Sequence, residues 1–277
     1  MQPKISSIAS INIDEVYQVP HIVKPGETIS STGRQQNAGG KGANASVAAA
    51  RAGAKVHVVG KIGHDGLWIR DLIADTGANV DQIIELDNMA TGRAIIQVDS
   101  SGENSIVLFP GANHSFDAKD AHKAFAQCNE GDWLLLTNET TGSVGSIGLV
   151  RRLCNNTHEI PISSNVTSQK GAPDLADNLD SIVEIRMECA PVKKDQIKDT
   201  TAAGDTWVGY FAAELAQLQS ESPESIETLA TITPTMVEHA MRFATYASGI
   251  SVSRFGAIPS IPLRAEVDAF IKTNILP

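Results

Sequence analysis

Eight residues, Asp199-Thr200-Thr201-Ala202-Ala203-Gly204-Asp205-Thr206, run directly into the apolar stretch Trp207, Val208, Tyr210 and Phe211. Small residues and an acid thus stand where a helix is expected to begin. Ala202, Ala203 and Gly204 carry so little side chain that their backbone N–H groups can approach an anion, and the positive end of the helix dipole reinforces that spot. From the helix mouth Asp205 can take a proton from a substrate hydroxyl while the amides hold charge developing on a transferred phosphoryl group. The same residues also admit a plainer account, with Asp205 as an N-cap and the small side chains as aids to tight packing. On this stretch alone the two accounts are level.

A second stretch tips the balance. Residues 37–48 read Asn-Ala-Gly-Gly-Lys-Gly-Ala-Asn-Ala-Ser-Val-Ala, a glycine-rich turn that delivers Asn44 onto an alanine-rich helix ending near Gly53. The spacing is not that of a Walker A loop, which needs Gly, four residues, then Gly-Lys-Ser/Thr. The glycines instead let the backbone approach a small polyhydroxylated ligand, with Lys41 and Asn44 supplying hydrogen bonds. A lone Gly-Gly would favour a flexible turn before an ordinary helix.

The elements that must position these residues alternate in type. Strands are expected over Lys4–Ala9, Val56–Lys61, Trp133–Thr137 and Ile160–Ser164. Helices are expected over Asn44–Ala52, Gly66–Thr76, Ser143–Cys154, Trp207–Gln217 and Thr235–Val252. That alternation predicts a mostly parallel sheet covered on both faces. A different texture marks Asp14–Gln18, Thr28–Arg34, Gly92–Asp99 and Asn104–Phe109, the last two joined like a hairpin by Ser100-Ser101-Gly102-Glu103. Such a unit either covers a cleft or supplies edge strands with no moving role.

Composition narrows the class. At 277 residues and 42% hydrophobic, the chain can bury a substantial core as one large α/β domain. A formal charge of −10 argues against nucleic acid as a partner. Cys128, Cys154 and Cys189 lack metal-like spacing, which fits reduced thiols in a cytoplasmic setting, with the nucleus also open in a eukaryote. No basic segment with an apolar core leads the chain and no run reaches membrane-spanning length, so no membrane partner is expected.

The two chemistry-bearing stretches together resemble the ribokinase family of carbohydrate kinases, the PfkB family, across nearly the whole chain. The first signature resembles Gly39-Gly40-Lys41-Gly42-Ala43-Asn44 followed by Gly60-Lys61-Ile62-Gly63-His64-Asp65-Gly66, and the second resembles Asp199 through Asp205. Ser10-Ile11-Asn12-Ile13-Asp14, Pro25-Gly26-Glu27-Thr28, Gly102-Glu103-Asn104, Gly111-Ala112-Asn113 and Arg254-Phe255-Gly256-Ala257 agree in order. Ala202 stands where many relatives carry the first glycine of a Gly-Ala-Gly-Asp motif.

The resemblance implies a single domain over 1–277, a three-layer α/β/α sandwich with a mostly parallel central sheet, and a small β lid from parts of 14–34 and 92–109. It implies ATP-dependent phosphorylation of D-ribose to D-ribose 5-phosphate, with Asp205 as general base and the amides of Ala202, Ala203 and Gly204 as anion hole. The sugar would be read by Asn12, Asp14, Gly40, Lys41, Asn44, Glu139 and Asp205, although Asp14 and Glu139 alone look like solvated strand ends. Gly204 and Asp205 would meet the nucleotide, Mg²⁺ would accompany ATP, and a monovalent cation such as K⁺ would sit around Asp199, Thr201, Ser251, Arg254 and Gly256. An exposed lid edge could support a homodimer.

One departure stands out. After Asp180-Ser181-Ile182-Val183 the chain continues at once with Glu184-Ile185-Arg186-Met187, which resembles a strand well downstream. On the order of 40 residues are expected to be missing, enough for a strand, a helix and another strand. They would include the family's Asn-x-x-Glu motif and a nucleotide-contacting loop; Asn165-Val-Thr-Ser lacks the Glu. A catalytically impaired sugar-binding relative is therefore the alternative reading.

Overall fold

The computed structural model describes residues 3–129, 131–137, 147–151, 190–221 and 232–274. The expected strand Ile160–Ser164, Glu139, Cys154, Cys189 and the junction after Val183 lie outside the described residues.

Five strands form the central sheet: β1 (Lys4–Ile8), β4 (Lys55–Gly63), β5 (Asn79–Leu86), β8 (Trp133–Thr137) and β9 (Ile147–Arg151), in the order β5-β4-β1-β8-β9. All neighbours are parallel except β8 and β9. Side chains alternate between two cores, as a sheet covered on both faces requires. Ile5, Val56, Val58, Trp133 and Leu135 point into the larger core. Ile8 and Val59 enter a smaller one with Phe116, Ala124 and the partly buried Leu134 and Leu136. This is the mostly parallel α/β sheet flanked by helices that the alternating pattern predicted.

The larger core is closed by α1 (Lys41–Arg51), α2 (Leu67–Ala74), α4 (Ala203–Glu221), α5 (Pro234–Ser251) and α6 (Arg264–Asn274), the smaller by α3 (Ala118–Ala126). Helix α1 is buried almost all round because its side chains are small. Gly209 of α4 faces it so closely that a Cβ there would lie 2.4 Å from both the Ala45 carbonyl oxygen and the Ala48 Cβ. That small-residue contact fixes the separation of α1 and α4, and hence of the side chains at their N-termini.

A second sheet orders β3 (Gly33–Gly39), β2 (Asn12–Gln18), β6 (Gly92–Val98) and β7 (Asn104–Phe109) as β3-β2-β6-β7, with β2 parallel to β6 and the other pairs antiparallel. The hairpin across Ser100–Glu103 forms as expected, its turn braced by the Asp99 carboxylate accepting from the Ser101 N–H and hydroxyl. Only Ala9, Ser10 and Ile11 separate β1 from β2, so the two sheets share a corner.

Two expectations fail. The strand expected over Thr28–Arg34 occupies Gly33–Gly39 instead, because pairing to β2 extends the sheet into the glycine-rich segment, with Asn12 opposite Gly39. The helix expected over Ser143–Cys154 is not formed where described: Ile147–Arg151 is a strand antiparallel to β8. Pairing satisfies the backbone groups along the outer edge of β8, a demand that local periodicity does not register.

Candidate active site

The N-termini of α1 and α4 converge at the sheet corner. Asn44, in the first turn of α1, donates from Nδ2 to Oδ2 of Asp205 in the first turn of α4, at 2.9 Å, and both side chains are buried. The sequence separates these residues by 161 positions, and the close α1–α4 contact at Gly209 brings them together. Asn44 Oδ1 and Thr206 Oγ1 are buried with no hydrogen-bond partner. Orphaned buried polar atoms are rare and costly, and Asn44 Oδ1 belongs to the amide that holds the Asp205 carboxylate. Asn44 Oδ1 needs a donor such as a hydroxyl.

The turn before α4 has the backbone of an anion-holding loop. Ala202 adopts φ +61°, the left-handed region that disfavours side chains. That is why a glycine serves well at this position. A Cβ on Gly204 would meet nothing within 4 Å, so the space beside the helix mouth is open to an incoming group. Helix N-termini leave their first N–H groups without intrahelical partners, and here the Ala203 N–H donates to the Thr200 carbonyl at 3.2 Å. Ser248 of α5 donates its hydroxyl to the Ala203 carbonyl at 3.0 Å and steadies the turn from behind.

The glycine-rich turn before α1 packs closely against the protein's own chain. A Cβ on Gly39 would lie 2.0 Å from Asp14 Oδ2, one on Gly40 2.5 Å from the Ser10 carbonyl oxygen, and one on Gly42 2.3 Å from Ala9 Cα. The close approaches are therefore made by the protein's own chain. Gly40 also has φ +96°. The Ser10 hydroxyl and carbonyl accept from the N–H groups of Gly42 and Ala43 at 3.2 and 3.0 Å and cap α1. Seating the helix on the β1–β2 corner brings Gly40 against the start of β2 at Asn12, and Gly39 against Asp14, while Asn44 reaches Asp205. Glu139 lies outside the described residues.

The residues expected around a monovalent cation divide. Asp199 Oδ1 accepts from the Thr201 N–H at 2.8 Å and Oδ2 from the Gly256 N–H at 2.9 Å. Burial alone would raise its pKa, but these hydrogen bonds outweigh it and hold the carboxyl below the usual range. Ser251 and Arg254 join this loop through the Arg254 N–H to Ser251 carbonyl bond at 3.0 Å, and the Asp199 N–H donates to the intervening Val252. The Arg254 guanidinium turns away to Glu266 at 2.5 Å. Among the described residues no group of three His, Cys, Asp or Glu side chains could hold a metal, and no helix is long and apolar enough to cross a membrane.

Two supporting groups escaped the sequence reading. Arg93 on β6 pairs with Glu15 on β2 and, at 2.6 Å, with Asp65 in the turn after β4. Asp65 also accepts from the Thr91 N–H at 2.9 Å and hydroxyl at 2.8 Å. This network ties the four-stranded sheet to the central one. Asn113 accepts from the Ile11 N–H at 3.0 Å and donates to the Ile11 carbonyl at 3.1 Å and to Asn12 Oδ1 at 2.8 Å. Asp65 and Asn113 both stand in quoted motifs, which was the available signal.

Comparison with known proteins gives the family and the fold. The model of the pfkB family carbohydrate kinases matches in two pieces, residues 2–185 and 183–264. A ribokinase of Haemophilus influenzae is 30% identical over 322 residues, spanning 98% of this chain and 99% of its own. That alignment is 45 residues longer than the 277-residue chain, and the family match breaks where the missing segment was expected. Among solved structures, a ribokinase from Giardia lamblia superposes with a TM-score of 0.67 at 21% identity, covering 99% of both chains. An Arabidopsis thaliana ribokinase complexed with ribose and ATP gives 0.64 at 20% identity, covering 98% and 99%. The fold is ribokinase-like, and the chain belongs to the pfkB family of carbohydrate kinases.

Proposed function

We propose that this chain transfers the γ-phosphoryl group of ATP to the primary hydroxyl of D-ribose, giving D-ribose 5-phosphate and ADP. The observation that carries the proposal is the buried Asn44–Asp205 contact between two helix N-termini. Asn44 holds the Asp205 carboxylate in place, and that carboxylate takes the sugar's hydroxyl proton as the new P–O bond forms and the bond to ADP breaks. Asn12, Asp14, Gly40, Lys41 and Glu139 hold the sugar's other hydroxyls, a task suited to amides and carboxylates that engage two groups each.

The amides of Ala202, Ala203 and Gly204 stabilise charge on the transferred group. Mg²⁺ accompanying ATP supplies charge neutralisation on the phosphates, and K⁺ is assigned to the carbonyl-rich loop around Asp199, Thr201 and Gly256. The β3-β2-β6-β7 sheet serves as the lid of a single domain over 1–277 in a cytoplasmic enzyme. Strand β7, paired only to β6 among the described residues, exposes Ile106, Val107, Leu108 and Phe109. Edge pairing with a second copy would cover them.

A second reading, a sugar-binding relative without turnover, is favoured by one observation, the break in the family match at 183–185. ADP release measured with and without D-ribose, in Mg²⁺ and K⁺, separates the two. The kinase gives ribose-dependent release that Asp205→Asn lowers by about 10²–10⁴. Sugar binding without release supports the binder.

A further inference from the structure

We infer that Asn113 is a positioning residue that sets which face of the Asn12 amide meets the sugar. The inference rests on the sugar reading above and concerns a residue that does not itself touch the ligand. A side-chain amide has a donor end and an acceptor end of nearly equal shape, so its orientation is decided by its hydrogen bonds. Asn12 sits at the shared corner of the two sheets, paired with Gly39 on one side and Gly92 on the other. Its Oδ1 accepts from Asn113 Nδ2 at 2.8 Å. With the acceptor end occupied, the donor end is the one left for a ligand oxygen.

Asn113 cannot present the opposite end. Its Oδ1 accepts from the Ile11 N–H and its Nδ2 donates to the Ile11 carbonyl, at 3.0 and 3.1 Å, so a flip would break both bonds and face acceptor to acceptor and donor to donor. The residue is 3% exposed, which makes such a mismatch costly because water cannot repair it. Gly92 belongs to the same device. A Cβ there would lie 2.3 Å from both Asn113 Nδ2 and Asn12 Oδ1, so only glycine lets the two amides meet. Polarity thus passes from the fixed backbone of Ile11 through Asn113 to Asn12.

Asn113→Asp keeps the acceptor for the Ile11 N–H but turns the donor into a second carboxylate oxygen. Asn12 then gains by rotating its amide to donate inward, and its acceptor end faces the sugar. Calorimetric titration with D-ribose should show a Kd at least about tenfold weaker, since a lost hydrogen bond plus an opposed acceptor is worth more than 1.4 kcal/mol. In the Asn12→Ala background the same substitution should change Kd less than twofold. Gly92→Ala, which parts the two amides while keeping both, should reproduce the loss and covers the case in which Asn113→Asp does not fold. Where turnover is measured, KM for the sugar rises while kcat stays within about twofold. Unchanged Kd in either folded variant, or an undiminished effect in the Asn12→Ala background, overturns the inference. No ribose binding by the unsubstituted chain sinks the sugar reading itself and the inference with it.

Discussion

Replacing Gly39 by alanine should disable the sugar site with little damage to the fold. Gly39 closes β3 with no positive φ, so a side chain strains nothing in its backbone. Its added Cβ, however, would lie 2.0, 2.4 and 2.6 Å from Oδ2, Cγ and Oδ1 of Asp14. Carbon atoms rest at about 3.5–4.0 Å from their neighbours, so the carboxylate must move by about 1.5 Å and leave its present rotamer. If Asp14 accepts hydrogen bonds from the sugar, losing a charge-assisted contact costs about 1.5–3 kcal/mol, or a Kd weakened about 10- to 150-fold. Gly33→Ala, in the same strand with its nearest neighbour at 3.6 Å, is the matched control and should bind as before. Calorimetric titration with D-ribose reads the affinity, and thermal melting of both variants should stay close to the parent because Gly→Ala also lowers unfolded-chain entropy. A Gly39→Ala protein that melts normally and binds ribose at parental affinity would refute the placement of Asp14 in the sugar site.

Asn44→Asp puts a second carboxylate where Nδ2 now donates to Asp205 at 2.9 Å; like charges favour protonation, so the acid limb of the kcat/KM profile should move up by about one pH unit or more. An unmoved limb would separate Asp205 from proton transfer. Ala202→Gly relieves a left-handed alanine but loosens the unfolded chain; thermal melting should show stability within about 1 kcal/mol of the parent and kinetics should show intact activity. Asp65 is desolvated, which alone raises its pKa, yet hydrogen bonds from Thr91 and Arg93 lower it overall. A depressed carboxyl contributes stability that is whole above the unfolded value of about 3.9 and is lost as pH falls through the folded value. Melting curves from pH 6 to 3 should therefore drop less steeply for Asp65→Asn than for the parent; parallel curves would contradict the role of the Asp65–Arg93 tie.

The sequence carried the parallel sheet, the hairpin and the helix-mouth acid because each is written in local pattern. Short β-rich runs between helical segments mark β1, β4 and β8, and Asp205 follows residues with almost no side-chain bulk. What it withheld is long-range. The strand Ile147–Arg151 forms to satisfy an edge of β8, and no local periodicity reports an unpaired neighbour. The glycines at 39, 40 and 42 stood out, but the groups of the chain that approach them, Asp14, Ser10 and Ala9, are distant in sequence. Asn113 binds Ile11 and Asn12 across about a hundred residues, and Asp65 meets Arg93 across 28. Motif membership flagged both without revealing what they hold. Of the residues expected at the cation loop, Arg254 has a side-chain partner, Glu266, that lies one helix further on.

The central claim is phosphoryl transfer to a pentose by a chain whose family match breaks at 183–185. The most direct test is ³¹P NMR of a reaction containing the purified chain, ATP, Mg²⁺, K⁺ and D-ribose, with Asp205→Asn run in parallel. The account predicts a phosphomonoester resonance of D-ribose 5-phosphate growing in step with ADP, nearly absent from the variant. A folded chain that binds D-ribose yet forms no phosphomonoester would contradict it and leave a sugar-binding member of the family.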